Sequence, residues 1–181
     1  TARAFKAMDE LCAQYGGHKS FYGWYFPDET MIKEKFSQEF VKYANRCSAH
    51  CHALTPHKRT LIAPYGTRWV KADDAYVRQL AALDVDFIAY QDEVGVRKVK
   101  VDDTCFSFEA LKKAHDAAGR ARLWADVEIF DFEGDVYKSA LIPAPVERVK
   151  KQLENVAPFV DKILVYQYLG LMNPATFKRL L

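Results

Sequence analysis

Carboxylate side chains follow several short apolar runs of the sequence, and paired carboxylates are groups that can carry out acid–base chemistry. Glu29 follows the run FYGWYF, Asp92 follows VDFIAY, and Asp126 and Glu128 lie near the end of ARLWADVEIF. Two carboxyl groups with different proton affinities can protonate a leaving group and attack or activate water. Hydrolysis of a glycosidic bond is one reaction that needs such a pair.

The alternation of side chains along a strand indicates which acids share a face. In ARLWADVEIF the alternate residues from Leu123 to Val127 are apolar, and we expect them to contact helices. Trp124, Asp126 and Glu128 then point the other way, where two acids are costly unless they are paired or functional. Glu128 is therefore a candidate functional residue.

The same alternation applies to the first run. Glu29 shares its parity with Tyr25, whereas the large side chains of Tyr22, Trp24 and Phe26 are predicted to pack under helices. Glu29 is therefore expected to face away from the helices, as Glu128 does on its own strand.

The third run divides its polar residues between the two faces. Asp92 shares its parity with Ile88 and Tyr90, whereas Gln91 takes the opposite parity. Acids after a strand also serve as helix caps, and we interpret three of them in this way. These are Asp28, Glu93 and Asp131.

Five apolar runs, each followed by an amphipathic segment, must position these acids. The runs are FYGWYF, TLIAPY, VDFIAY, ARLWADVEIF and KILVYQY. Helical spacing is clear in the segments between them, with Gly16, Asp73 or Asp74, Gly119, Pro145 and the pair Asn173-Pro174 at predicted helix ends. Strands that alternate with helices predict a parallel α/β sheet, either a small doubly wound sheet or part of a (β/α)8 TIM barrel.

Composition limits the possible classes. The chain has 181 residues, of which 50% are hydrophobic and 28% charged, and a net charge of +2. This predicts one folded domain over residues 1–181, or a large part of one, and gives no electrostatic case for nucleic acid or a membrane surface. No apolar run approaches the ~20 residues of a membrane span. Thr1 opens a charged helical pattern, so we expect no signal peptide in these residues.

Two compositional features each allow two interpretations. Aromatic residues make up 14% of the chain, which fits either a large packed core or a ring-lined ligand site. Cys47, His50, Cys51 and His52 could form a metal cluster, but the two cysteines continue the apolar stripe of a helix and are predicted to be buried and structural. The sequence contains no G-x-G-x-x-G, P-loop or G-x-S-x-G motif.

Four strings in order resemble a glycosidase-like (β/α)8 barrel family of unknown function, itself similar to a clan of retaining glycosidases. They are GWYFPDE from Gly23, APY from Ala63, YQDEVG from Tyr90 and LWADVEIF from Leu123. The resemblance implies that the five runs are strands four to eight of the barrel. It also implies that Glu29 is the general acid/base and Glu128 the nucleophile. Asp28 stands where that clan has asparagine, so the clan's contact to a sugar 2-hydroxyl is not implied.

The resulting hypothesis is a glycoside hydrolase that cleaves a polysaccharide or oligosaccharide by a retaining mechanism. Five residues are expected to bind the carbohydrate: Tyr25, Asp92, Trp124, Asp126 and Tyr168. No metal or organic cofactor is implied, and the sequence does not predict an oligomeric state. Export to the periplasm or the cell exterior is favoured, because glycan-processing relatives are often exported. The alternatives are a non-catalytic carbohydrate-binding barrel and a small doubly wound protein that binds a phosphate or nucleotide.

Overall fold

A computed structural model of the chain describes residues 1–167. These residues form seven strands. They are β1 (Gly23–Phe26), β2 (Arg59–Ile62), β3 (Phe87–Gln91), β4 (Arg122–Glu128), β5 (Phe130–Phe132), β6 (Leu141–Pro143) and β7 (Lys162–Tyr166). Helices separate the strands except between β4, β5 and β6, which follow one another directly. Strands β1, β2, β3, β4 and β7 form one parallel sheet, and β5 pairs with β6 as an antiparallel hairpin.

The order of strands in the parallel sheet follows the order of the chain. A doubly wound sheet would reverse its strand order at a switch point, and this sheet has no reversal among its five strands. Successive parallel strands that always step in one direction are the pattern of a (β/α)8 barrel. The fold is therefore of the TIM-barrel type, with the sheet corresponding to part of the barrel wall, and the doubly wound alternative is wrong.

Five helices cover one face of the sheet. They are α1 (Ala2–Tyr15), α2 (Gln38–Leu54), α3 (Asp74–Ala82), α4 (Thr104–Ala118) and α5 (Val146–Val156). Asp73 caps α3 by accepting a hydrogen bond from the Tyr76 amide at 2.9 Å, and Gly119 ends α4 in the left-handed conformation at φ 62°. The helix expected at Asn173-Pro174 lies outside the described residues.

The alternation of side chains divides the sheet into two faces. Trp24 and Phe26 of β1, and Leu123 and Val127 of β4, belong to the core between the sheet and the helices. On the opposite face, here called the inner face, Trp124 of β4 forms a second apolar cluster with three other buried residues. These are Ala63, Phe87 and Ala89. The parities expected for β1 and β4 from Trp24 onward are confirmed.

Two expectations about the strands were wrong. Tyr22 does not pack under helices: its side chain is exposed and lies parallel to Phe87, with ring centroids 6.3 Å apart, because β1 begins only at Gly23. The run ARLWADVEIF is not one strand either. The chain leaves the parallel sheet after Glu128 and enters the β5–β6 hairpin.

The cysteines and histidines of α2 lie in different surroundings. Cys47 and Cys51 are fully buried, and all four cysteines are free thiols. His50 stacks on Phe5 and forms a 2.7 Å hydrogen bond with Asp9. Within residues 1–167, no group of three or more His, Cys, Asp or Glu side chains is arranged to hold a metal ion, and no helix there is long and apolar enough to cross a bilayer.

Candidate functional site

A cleft of about 480 Å³ opens on the inner face at the carboxyl ends of the parallel strands. In barrels of this type the active site lies at that end. Acidic and aromatic side chains dominate its lining. The lining residues are Glu29, Tyr65, Gln91, Glu93, Val96, Lys98, Asp126, Glu128, Phe130, Tyr137 and Tyr166.

Glu128 is the most deeply set of the candidate acids in this cleft. It ends β4, its side chain is buried, and its Oε2 accepts a hydrogen bond from the Val96 amide at 2.8 Å. Burial raises the pKa of Glu128 to about 7, and the nearby charges of Asp92, Glu93 and Asp126 act in the same direction. The hydrogen bond from Val96 lowers the pKa but does not cancel the rise. Near neutral pH this carboxyl can therefore carry a proton.

Asp126 precedes Glu128 by two residues on β4, so the two side chains lie on the same face of the strand. Burial raises its pKa to about 6, and the charges of Asp92 and Glu29 add to the rise. Tyr25 lies close enough to Glu29 and Asp126 for their charges to raise the pKa of its phenol, after the larger effect of burial. The sequence-predicted residues Glu29, Asp126 and Tyr25 are thus brought near one another.

Glu29 approaches the cleft from the loop after β1. Its side chain is exposed, and its backbone amide donates to the carbonyl of Pro27 at 3.1 Å. The structure therefore brings Glu29 and Glu128 to one cleft in unequal surroundings, one exposed to solvent and one buried.

Asp92 does not line the cleft, and its expected contact with substrate needs correction. It is 1% exposed and has the parity of Ile88 and Tyr90, which belong to the core under the helices. Its Oδ1 accepts hydrogen bonds from the amides of Glu128 (3.1 Å) and Val94 (3.3 Å). Asp92 therefore lies behind the cleft and supports the main chain of Glu128.

Trp124 also lies away from the cleft. It is buried on the inner face one layer below Asp126 and stacks on Phe87, with ring centroids 4.1 Å apart. With Tyr22, Tyr25 and Leu61 it lines a separate, more apolar cavity of about 420 Å³, here called the hollow, toward the amino ends of the strands. Its expected role as a subsite residue of the cleft is not supported by this position. Tyr168 lies outside the described residues.

Several cleft residues were not selected from the sequence. Glu93, interpreted as a cap, is 1% exposed and pairs with Arg68 at 3.0 Å, with its Oε2 unpartnered among the described residues. Its parity, opposite to Asp92, was the signal that could have placed it here. The Lys98 ammonium lies 5.5 Å from the ring centroids of both Tyr65 and Tyr137, a loop arrangement that no sequence pattern indicates.

The arrangement can do acid–base chemistry. Glu128 can hold a proton near neutral pH, and Glu29 is a second carboxyl open to solvent in the same cleft. The rings of Tyr65, Phe130 and Tyr166 supply flat apolar surface beside these acids.

Comparison with known proteins supports this fold. A family model described as "Domain of unknown function (DUF4434)" matches residues 1–178. A search of curated proteins found no match.

Similar solved structures are longer proteins. A proposed α-L-fucosidase from Bacteroides thetaiotaomicron matches with a TM-score of 0.75 and 20% identity over 96% of this chain and 57% of that one. An FMN-binding β-glucuronidase from Facaelibacterium prausnitzii matches with a TM-score of 0.62 and 16% identity, over 92% of this chain and 25% of that one. A β-D-glucuronidase from Dictyoglomus thermophilum matches with a TM-score of 0.59 and 14% identity, over 91% of this chain and 28% of that one. At these identities the likeness shows the barrel fold alone, and the chain spans 57% or less of each of the three.

Proposed function

We propose that this chain, which belongs to the DUF4434 family, is a glycoside hydrolase or the catalytic part of one. The observation that carries the proposal is the cleft at the carboxyl ends of the strands, which holds Glu29 and Glu128 together among aromatic rings. Glycoside hydrolysis needs one carboxyl that donates a proton and another that attacks the sugar or activates water. The three solved structures of similar fold carry the names of a fucosidase and two glucuronidases, which is consistent with this reaction class.

The surroundings of the two acids favour particular roles. Burial holds the pKa of Glu128 at about 7, which suits the carboxyl that protonates the leaving oxygen. Glu29, exposed in the same cleft, then serves as the nucleophile of a retaining reaction. This is the reverse of the assignment implied by the family resemblance, in which Glu29 is the acid/base and Glu128 the nucleophile.

The substrate proposed is a polysaccharide or oligosaccharide. Rings of Tyr65, Tyr137 and Tyr166 line the cleft, and sugars can stack against them. Asp126 is proposed to contact the sugar bound between the two acids. Tyr25, which lines the hollow, is proposed to contact that sugar from beside Glu29 and Asp126. Residues 1–181 are proposed to form one barrel domain or its C-terminal five units.

Substitution of the two acids tests the proposal. Glu29→Gln and Glu128→Gln are each expected to lower the release of reducing sugar from a panel of polysaccharides by about 100-fold or more. The matched control is Glu109→Gln, which removes an α4 acid paired with Lys113 on the helix side. Full activity in both cleft variants would refute the carboxylate pair. Binding of a glycan without any cleavage by the unaltered chain would favour the non-catalytic carbohydrate-binding barrel instead.

A second experiment separates the two roles. With an aryl glycoside whose leaving group needs no proton, Glu128→Ala should keep activity that Glu29→Ala loses. Azide should then give a glycosyl azide of retained configuration with Glu128→Ala and of inverted configuration with Glu29→Ala. The opposite pattern would restore the assignment that the resemblance implies.

A further inference from the structure

Asp92 is a buried acid that the proposed reaction does not itself use. It follows β3, is 1% exposed, and points toward the helices rather than into the cleft. A buried carboxylate is costly unless hydrogen bonds and neighbouring groups compensate for its lost hydration. The partners of Asp92 therefore indicate what its position achieves.

Those partners converge on one residue, Glu128. Asp92 Oδ1 accepts from the Glu128 amide at 3.1 Å, and Asp92 Oδ2 accepts from Gln152 Nε2 at 2.6 Å. The same Gln152 Nε2 donates to the Glu128 carbonyl at 3.1 Å. Gln152 is a fully buried residue of α5. Both main-chain polar groups of Glu128 are thus held from the helix side.

The side chain of Glu128 is held from the other side. Its Oε2 accepts from the Val96 amide at 2.8 Å, in the loop that follows Asp92. The carboxyl therefore has little freedom to turn away from the cleft. One short loop and one helix together determine where this carboxyl lies.

The charges that face Glu128 come from three elements packed around it. Asp92 and Glu93 approach from the loop after β3, with Glu93 paired to Arg68, and Asp126 precedes Glu128 on β4. Arg148 of α5 donates to the carbonyl of Glu128 at 3.3 Å and forms an ion pair with Asp131 at 3.7 Å. Among these acids, Asp92 is the one whose side chain forms a hydrogen bond with the main chain of Glu128.

We propose that Asp92 and Gln152 form a positioning pair behind the cleft, which fixes the main chain of Glu128. The charge of Asp92, hydrogen-bonded to the Glu128 amide, also disfavours ionisation of the Glu128 carboxyl. Asp92 acts through Glu128 and does not touch substrate. The role of this pair in turnover rests on the proposed function, but its effect on the proton of Glu128 does not.

Carboxyl-carbon NMR of protein labelled at glutamate tests the pair without any substrate, with Glu128→Gln used to assign the Glu128 signal. Asp92→Asn removes the charge, and we expect the titration midpoint of Glu128 to fall by about 1 pH unit. Asp86→Asn is the matched control, because it removes a hydrogen-bonded aspartate at the opposite end of the sheet. The midpoint of Glu128 should not move in the control.

Gln152→Met provides a second route if Asp92→Asn does not fold. Without the amide donor, Asp92 stays protonated to higher pH and repels an ionised Glu128 less, so the midpoint should again fall. A midpoint that stays unchanged in whichever of the two variants is folded would overturn the pair. A failure to cleave any glycan would refute the proposed function and leave this titration result standing.

Discussion

The two ends of the parallel sheet use their acids in opposite ways. At the amino ends of the strands, Asp86 pairs with Arg59 at 2.7 Å and accepts a hydrogen bond from the Thr60 amide at 2.9 Å. Burial alone would raise the pKa of Asp86, but these hydrogen bonds outweigh it and the pKa is lowered. This acid is held in its charged form.

Two cleft acids at the carboxyl ends show the reverse, whereas a third, Glu93, is paired with Arg68. Asp126 and Glu128 have no lysine or arginine within ion-pair distance of their carboxylates among residues 1–167, and burial raises the pKa of both. Perturbed acids without a paired cation are typical of reactive sites, whereas paired acids are typical of structural contacts. The comparison supports the proposal that the carboxyl end of the sheet carries the chemistry, whereas the acid at the amino end stabilises the fold.

The largest expected effect concerns the hollow, toward the amino ends of the strands. Trp124→Ala removes a buried ring stacked on Phe87 in the hollow, and should lower the free energy of unfolding by about 3–5 kcal/mol in urea titrations. Phe106→Ala is the control, because Phe106 is 69% exposed on α4 and should change stability by less than about 0.5 kcal/mol. If the two variants lose equal stability, the hollow is not a structural region.

The next prediction compares how stability depends on pH when Glu128 or Asp86 is replaced. The pKa of Glu128 is about 7 in the folded chain and 4.5 for an ordinary glutamate, so its protonated form stabilises the fold and that stability is lost as pH rises from about 4.5 to about 7. Glu128→Gln should therefore be more stable than the unaltered chain at pH 8, by about 1–3 kcal/mol, and similar at pH 4.5.

Asp86→Asn should behave in the opposite sense in the same thermal and urea measurements. Because the folded pKa of Asp86 is lowered, its stabilising contribution is present above pH 3.8 and is lost as pH falls through the folded pKa. The variant should be less stable at pH 7 and should converge with the unaltered chain in acid. The comparison breaks down if both variants show the same dependence on pH.

The sequence predicted which face an acid occupies only on a strand that has one apolar face and one polar face. On β4 the apolar residues Leu123 to Val127 alternate with Asp126 and Glu128, so parity placed these acids correctly on the inner face. On β3 the residues from Phe87 to Tyr90 are all buried, because helices cover one face and the inner cluster covers the other. Hydrophobicity therefore could not show that Asp92 points away from the cleft.

Several of the remaining cleft residues come from loops. Lys98 and Tyr137 reach the cleft from the segments after β3 and β5, and their meeting depends on long-range packing rather than on any local period. The β5–β6 hairpin was hidden because Phe130 continues the apolar run of β4. The fold followed from periodicity, whereas eight of the eleven residues that line the cleft were identified only in the three-dimensional structure.

The smallest expected effect tests how tightly the residues around Glu128 are packed at the carboxyl end of the sheet. A Cβ at Gly95 would lie 2.8 Å from the Glu128 Cβ and 2.9 Å from the Phe130 carbonyl oxygen, so Gly95→Ala forces one of them to move. Overpacking costs about 1–3 kcal/mol and the stiffer unfolded chain returns about 0.4–1, which predicts a net loss near 1 kcal/mol in urea unfolding.

Gly134→Ala, on the exposed turn of the hairpin, is the control. Its Cβ would lie 3.5 Å from the nearest atom, in Ser139, and stability should hold or rise slightly. Because Gly95 follows Asp92 in the loop that also supplies the Val96 amide, its substitution should also disturb the hydrogen bond to Glu128. If Gly95→Ala is as stable as Gly134→Ala and the titration midpoint of Glu128 does not change, the carboxyl end of the sheet tolerates repacking as readily as the surface does.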